Sequence, residues 1–277
     1  MGARRHATRQ GLEQPQDQRD ARPVEVASRG PVLSDAAADP FAPPPGRGGS
    51  QFIPRPTDAE LGGPPPWAVV PTLDRQLSID VIAARLDAHR PPATVGLMAP
   101  TTRESAVLCV LYEEAGEPHV VLTRRSPRMR SHAHEVSFPG GRKDATDPDL
   151  WSTALREAEE EVALDPGSVT LIGELDRFVT VGSQSMIHPF VAVADSKPEI
   201  YVASPAEVEA IVHVSLGELL RDDVWREEIW GFREYGVRAL TFFEIEGDTI
   251  WGATGSMLRQ LLAIATDTDA RILGGPG

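Results

Sequence analysis

Four glutamates, three of them able to share one helix face, crowd the second half of the stretch Phe138–Leu164, which reads FPGGRKDATDPDLWSTALREAEEEVAL. Read as a helix, it carries Glu157, Glu160 and Glu161 at i, i+3 and i+4, so all three project from one face. They span an arc of about 100°, while Trp151, Leu155, Ala158 and Val162 gather on the opposite side. Like charges at this spacing repel by roughly a few tenths of a kcal/mol per close pair. A divalent cation removes that penalty, and clustered carboxylate oxygens are what Mg²⁺ or Mn²⁺ prefers. An ordinary solvated helix face can look the same. Arg156 stands beside the triad, and Gly140 and Gly141 open the preceding loop, where glycine permits close backbone approach.

The elements that must position these groups alternate. A helix is expected near Ser78–His89, then strands at Ser105–Tyr112 and Pro118–Thr123 joined by the turn Glu113–Glu117. The Glu-bearing helix is expected to start at Asp147-Pro148, as N-cap and first helical residue, and to stop near Asp165-Pro166-Gly167. Further strands are expected near Val169–Leu175, Ile187–Ala194, Ala210–Val214, Arg238–Ile245 and Thr249–Trp251. A short helical turn falls at Leu216–Leu220 and a closing helix at Gly255–Ala265. Periodicity alone supports an α+β chain.

Around this core the composition changes. Residues 1–66 are rich in Pro, Gly, Ala, Arg and Gln, and their eight Arg balance eight acidic residues. Such a segment buries too little apolar surface to offset its ordering entropy, so it is read as a disordered tail. The domain is then expected at 67–267, with a flexible tail at 268–277. The net charge of -14 belongs to the domain and disfavours nucleic acid as a partner. No run approaches the ~20 apolar residues that span a membrane, and no apolar run follows Arg4-Arg5 as a signal would need. The single cysteine, Cys109, lies in an apolar strand and excludes a disulfide framework. A cytoplasmic location is the simplest expectation.

Gly141 followed by Arg156-Glu157-Ala158-Glu159-Glu160-Glu161 resembles the signature of the Nudix hydrolases. The segment Leu122-Thr123-Arg124-Arg125-Ser126, then Arg130 and Phe138-Pro139-Gly140-Gly141, resembles the added signature of the coenzyme A pyrophosphatase-type branch. The spacer from Asp147 to Arg156, one residue longer than the common pattern, is usual in that branch. Two positions depart: Ala163 stands where Gly usually follows the Glu pair, and His134 stands where the branch has Gly.

The resemblance implies an α/β/α sandwich with a mixed sheet, and an enzyme that cleaves a diphosphate bond with water. It implies Mg²⁺ or Mn²⁺ on Glu157, Glu160 and Glu161, with Arg156 orienting Glu157. Glu160, Glu161 or Glu207 is the candidate to activate water. Arg124, Arg125 and Arg130, in a basic run with Arg128, His132 and His134, are the candidates for phosphate contacts, with Gly140 and Gly141 shaping the loop. Residues 180–185 are a candidate pocket wall. The implied substrate is coenzyme A or an acyl derivative, giving 3′,5′-ADP and a phosphopantetheine. The alternative is another nucleotide diphosphate such as ADP-ribose, NADH or a dinucleotide. A non-catalytic binding module is disfavoured by the intact REAEEE. The expected partner is thus a small nucleotide diphosphate, with no nucleic acid and no membrane, and a homodimer is left open.

Overall fold

The computed structural model describes residues 39–91, 103–129, 131–179, 185–233 and 236–271. Along them run β1 (Glu60–Leu61), α1 (Ile79–Ala88), β2 (Arg103–Glu114), β3 (Glu117–Arg125), β4 (Val136–Ser137), β5 (Gly140–Arg142) and α2 (Leu150–Val162). Then come β6 (Val169–Glu174), β7 (Phe178–Val179), β8 (Ser185–Ala194), β9 (Val208–Ser215), α3 (Leu216–Leu219), β10 (Trp225–Phe232), β11 (Gly236–Ile245), β12 (Asp248–Trp251) and α4 (Gly252–Ala265). No helix among the described residues is long and apolar enough to cross a membrane.

Alternation along β2 builds the layers. Its Leu108, Val110 and Tyr112 pack with Ala154, Ala158 and Val162 of α2. Its Cys109 and Leu111 face the other way, toward Ile82 and Leu86 of α1 and Leu258 and Leu261 of α4. Helices therefore cover both faces of the large sheet, whose order is β4-β3-β2-β8-β6, with β5 on β2, β7 on β8 and β9 on β3. β2 and β8 run parallel, while β2 and β3 form an antiparallel hairpin, so the sheet is mixed. That hairpin turns at Ala115 (φ 55°) and Gly116 (φ 80°), the paired left-handed residues of a tight two-residue loop. The α+β sandwich expected from the sequence is the fold observed.

Two local features differ from expectation. The cap of α2 is Asp149, which accepts the Ser152 N–H at 2.7 Å, because Asp147 spends its carboxylate elsewhere. At the other end Ala163 is left-handed (φ 55°) where a glycine would be free of strain, and its N–H reaches Glu159 O at 2.9 Å.

A second sheet, β1-β10-β11-β12, closes the α4 side. Trp67 lies between its aromatics, 5.3 Å from Trp225 and 6.3 Å from Phe243. Within the stretch read as a tail, residues 39–66 are woven onto this sheet. Arg47 meets Glu218 at 3.0 Å, and Gly48 bridges Glu246. Arg55 forks onto Glu228, with both bonds at 2.7 Å. Glu228 is 0% exposed and also takes the Trp230 indole N–H at 2.8 Å. The polar composition of this arm suits it to cover buried acids, which is why it packs with few large apolar residues. Residues 272–277 lie outside the described residues.

Two stability outcomes follow. Ala163→Gly relieves the left-handed alanine and should stabilise by about 0.5–1 kcal/mol, after the extra chain entropy of glycine. Glu228→Ala leaves Arg55 without its buried partner and Arg226 with Glu244 alone, and should cost about 3–5 kcal/mol. Thermal denaturation of the two variants beside the native chain checks both signs; a lower Tm for Ala163→Gly would contradict the first.

Candidate active site

The site begins where β5 lies down on β2. Gly140 pairs with Val107 and Gly141 with Ala106. Gly140 has φ 153°, and a Cβ there would come within 2.3 Å of Ala106 O. A Cβ on Gly141 would come within 2.5 Å of the Glu157 carboxylate. Both glycines are needed for contact: one lets the strand reach the sheet, the other lets the loop reach α2.

Arg156 joins the loop to the helix. Its Nε donates to Asp147 Oδ1 at 2.9 Å and its Nη2 to Asp147 Oδ2 at 3.1 Å. Nη2 also reaches Glu157 Oε1 at 2.9 Å and Arg142 O at 3.1 Å, and Nη1 reaches Glu160 Oε2 at 3.2 Å. Asp147 in turn accepts from Thr153 Oγ1 at 2.9 Å and from the Asp144 N–H at 2.8 Å. The Arg156 guanidinium, helped by those donors, holds the Asp147 carboxyl well below the usual carboxylate range. Asp147 is therefore the residue that aims Arg156. The sequence hinted at this only through its place between Gly141 and Arg156.

The three glutamates are not equivalent. Glu161 is buried, and desolvation pushes its pKa up to about 8 against the pull of the Gly140 N–H, 3.3 Å away, and the Arg125 charge. Glu157 is raised too, by burial first, with Arg156 opposing and Glu160 and Glu207 adding repulsion. Glu160 stands apart, with a side chain 60% exposed and turned to Arg156. Glu207, whose carbonyl accepts the Ser126 N–H at 2.7 Å, is close enough for its charge to act on both Glu157 and Glu161.

Among the described residues, no three His, Cys, Asp or Glu side chains are already gathered to hold a metal ion. The donor chemistry nevertheless fits a hard divalent cation. Glu157, Glu161 and Glu207 repel one another at a partly buried place with Arg125 and Arg156 as the nearby cations, and oxygen ligands are those Mg²⁺ and Mn²⁺ take.

The pleat of β3 separates the candidate phosphate ligands. Arg124 lies on the face of Leu122 and is forked onto Asp248, at 2.8 and 2.6 Å, so it does not join the glutamates. Arg125, on the alternate face, is the one whose charge acts on Glu161. Arg130 lies outside the described residues, as do residues 180–184 of the candidate pocket wall. His132 pairs with Glu135 at 2.9 Å and His134 with Glu209 at 3.3 Å. Both histidines have positive φ, 58° and 61°.

The family model described as the NUDIX domain matches residues 102–232. The chain is similar to Nudix hydrolase 15, mitochondrial, of Arabidopsis thaliana: 30% identical over 205 residues, covering 73% of this chain and 67% of that protein. It is similar to the Nudix hydrolase NudL of Citrobacter koseri: 33% identical, covering 67% of this chain and 93% of that protein. Among solved structures, a NUDIX hydrolase from Alicyclobacillus acidocaldarius is 21% identical, with 64% of this chain and 100% of that chain covered and a TM-score of 0.42.

Asp147→Asn keeps the size of the side chain and removes the charge that aims Arg156. Steady-state turnover is expected to fall about 10–100-fold, as for the loss of other groups that orient a ligand. Unchanged turnover would show that Arg156 holds Glu157 without help.

Proposed function

We propose that this chain, which belongs to the Nudix hydrolase family and hydrolyses a nucleoside diphosphate derivative, acts on coenzyme A or an acyl-coenzyme A. The products are 3′,5′-ADP and phosphopantetheine or its acyl form. The observation that carries this reading is the backbone of His134. The surrounding residues resemble the coenzyme A branch signature except for the His in place of Gly. With φ 61°, His134 takes the left-handed turn that glycine reaches freely, and His visits that region more often than most residues. The departure changes a side chain and keeps the path of the loop.

In this reading water adds to one phosphorus, the bond to the bridging oxygen breaks, and the leaving phosphate departs with the electron pair. Glu207 takes the proton from the water. Its charge is felt at Glu157 and Glu161, which supports that role. Arg125 faces the substrate phosphates from beside Glu161. Arg156, aimed by Asp147, holds Glu157 in orientation. Gly140 and Gly141 keep the loop low enough for the diphosphate to lie along the helix. Glu157 and Glu161, joined by Glu160 once it turns from Arg156, would hold Mg²⁺ or Mn²⁺, which would supply positive charge for the phosphates and a more acidic water.

Product analysis by chromatography tests the proposal. The chain is incubated with Mg²⁺ or Mn²⁺ and coenzyme A, acetyl-coenzyme A, ADP-ribose, NADH or diadenosine polyphosphates, beside Glu157→Gln. Release of 3′,5′-ADP is expected from the first two, falling at least about 100-fold in the variant. Cleavage of ADP-ribose or NADH with coenzyme A left intact would sink the coenzyme A reading.

A further inference from the structure

Asp248 begins β12, and the hydrolysis described above makes no use of it. It is 2% exposed and holds Arg124 with both oxygens, at 2.8 Å from Nε and 2.6 Å from Nη2. Gln51 braces it from the arm: its Nε2 lies 3.4 Å from Asp248 Oδ1 and 3.1 Å from Thr249 O. The Thr249 N–H returns to Gln51 Oε1 at 3.3 Å.

What this fork pins is the last residue before an irregularity. The register of β3 against β9 shifts between Arg124 and Arg125. Past the shift lies Arg125, whose Nε is buried with no partner among the described residues. Ser126 follows, and its N–H holds the Glu207 carbonyl at 2.7 Å. The extra residue is Glu209 on β9, between Ala210 opposite Arg124 and Val208 opposite Arg125, so the bulge re-aims β9 next to Glu207 and Arg124 holds the β3 side of the pairing where it begins.

The geometry points to Asp248 as a positioning residue for the hydrolysis: through Arg124 it fixes the end of β3 that carries Arg125 and pairs with the bulged start of β9, beside Glu207. A bidentate fork fixes direction as well as distance, which a point contact does not. The inference rests on the hydrolase reading of the site and not on coenzyme A as the substrate.

Two variants test it. Arg124→Lys keeps the charge and loses the fork. The double variant Arg124→Met/Asp248→Leu removes both charges together, a change that buried ion pairs often tolerate without loss of stability. The full chain and both variants are assayed with Mg²⁺ or Mn²⁺ on coenzyme A, ADP-ribose and NADH, and compared on whichever the native chain cleaves. In both variants kcat is expected to fall about tenfold or more, with KM little changed and Tm near the native value. Amide hydrogen exchange at Ser126 is expected to quicken. A folded double variant with native kcat would overturn the inference, leaving the pair a purely structural role. Cleavage of ADP-ribose alone removes the coenzyme A reading while the positioning test proceeds on that substrate. If the native chain cleaves none of the three, Ser126 exchange decides, and native exchange in Arg124→Lys overturns the inference.

Discussion

One guanidinium, midway along the Glu-bearing helix, meets three carboxylates, and the site takes its shape from how that charge is shared. Arg156 spends its Nε and part of Nη2 on Asp147, which is itself fixed by Thr153 and the Asp144 amide. Only then can the rest of Nη2 hold Glu157 and Nη1 hold Glu160. The arrangement leaves Glu161 to the Gly140 amide and the charge of Arg125, which do not offset the burial that disfavours its ionised form. A charge-assisted network in a partly dry place is sensitive in this way, because each donor given to one acid is withheld from another.

The second constraint is the pleat. Successive side chains of a strand leave on opposite faces, so adjacent basic residues on β3 serve different sheets. Arg124 is drawn to the small sheet by buried Asp248, and Arg125 remains on the side of α2. The small sheet therefore does more than close the core. Its acids are each met by an arginine: Glu228 by Arg55 of the arm and Arg226 of its own strand, Glu244 by Arg226, and Asp248 by Arg124 of β3.

Much of this was legible in the residues, and the failures have physical causes. The helix of Glu157, Glu160 and Glu161 and the apolar strands β2, β3, β8, β9 and β11 carry their period openly. Strand β10 does not, since Arg226-Glu227-Glu228 reads as solvated. Glu228 is nonetheless buried, because Arg55 and Arg226 neutralise it and Trp230 donates to it. The same distant partner explains the arm: residues 39–66 look too polar to pack, and they pack by ion pairs and forks. Arg124 and Arg125 look alike as a basic run, and only counting alternation onward from buried Val120 and Val121 would have sent them to different faces. Asp147 was visible as an acid in the right place; its hold on Arg156 needed coordinates.

The weaving of the arm bears on how the chain is made. Arg47, Gln51 and Arg55 leave the ribosome early, yet their partners Glu218, Thr249 and Glu228 lie 171, 198 and 173 residues further on. At ordinary synthesis rates of about 5–20 residues per second, the arm waits roughly 10–40 s for the strands it binds. Contacts of such sequence separation also slow folding, since the long loop must close before they form. The arm's contacts to the small sheet thus wait until that sheet has been synthesised, which makes them late contacts of the fold.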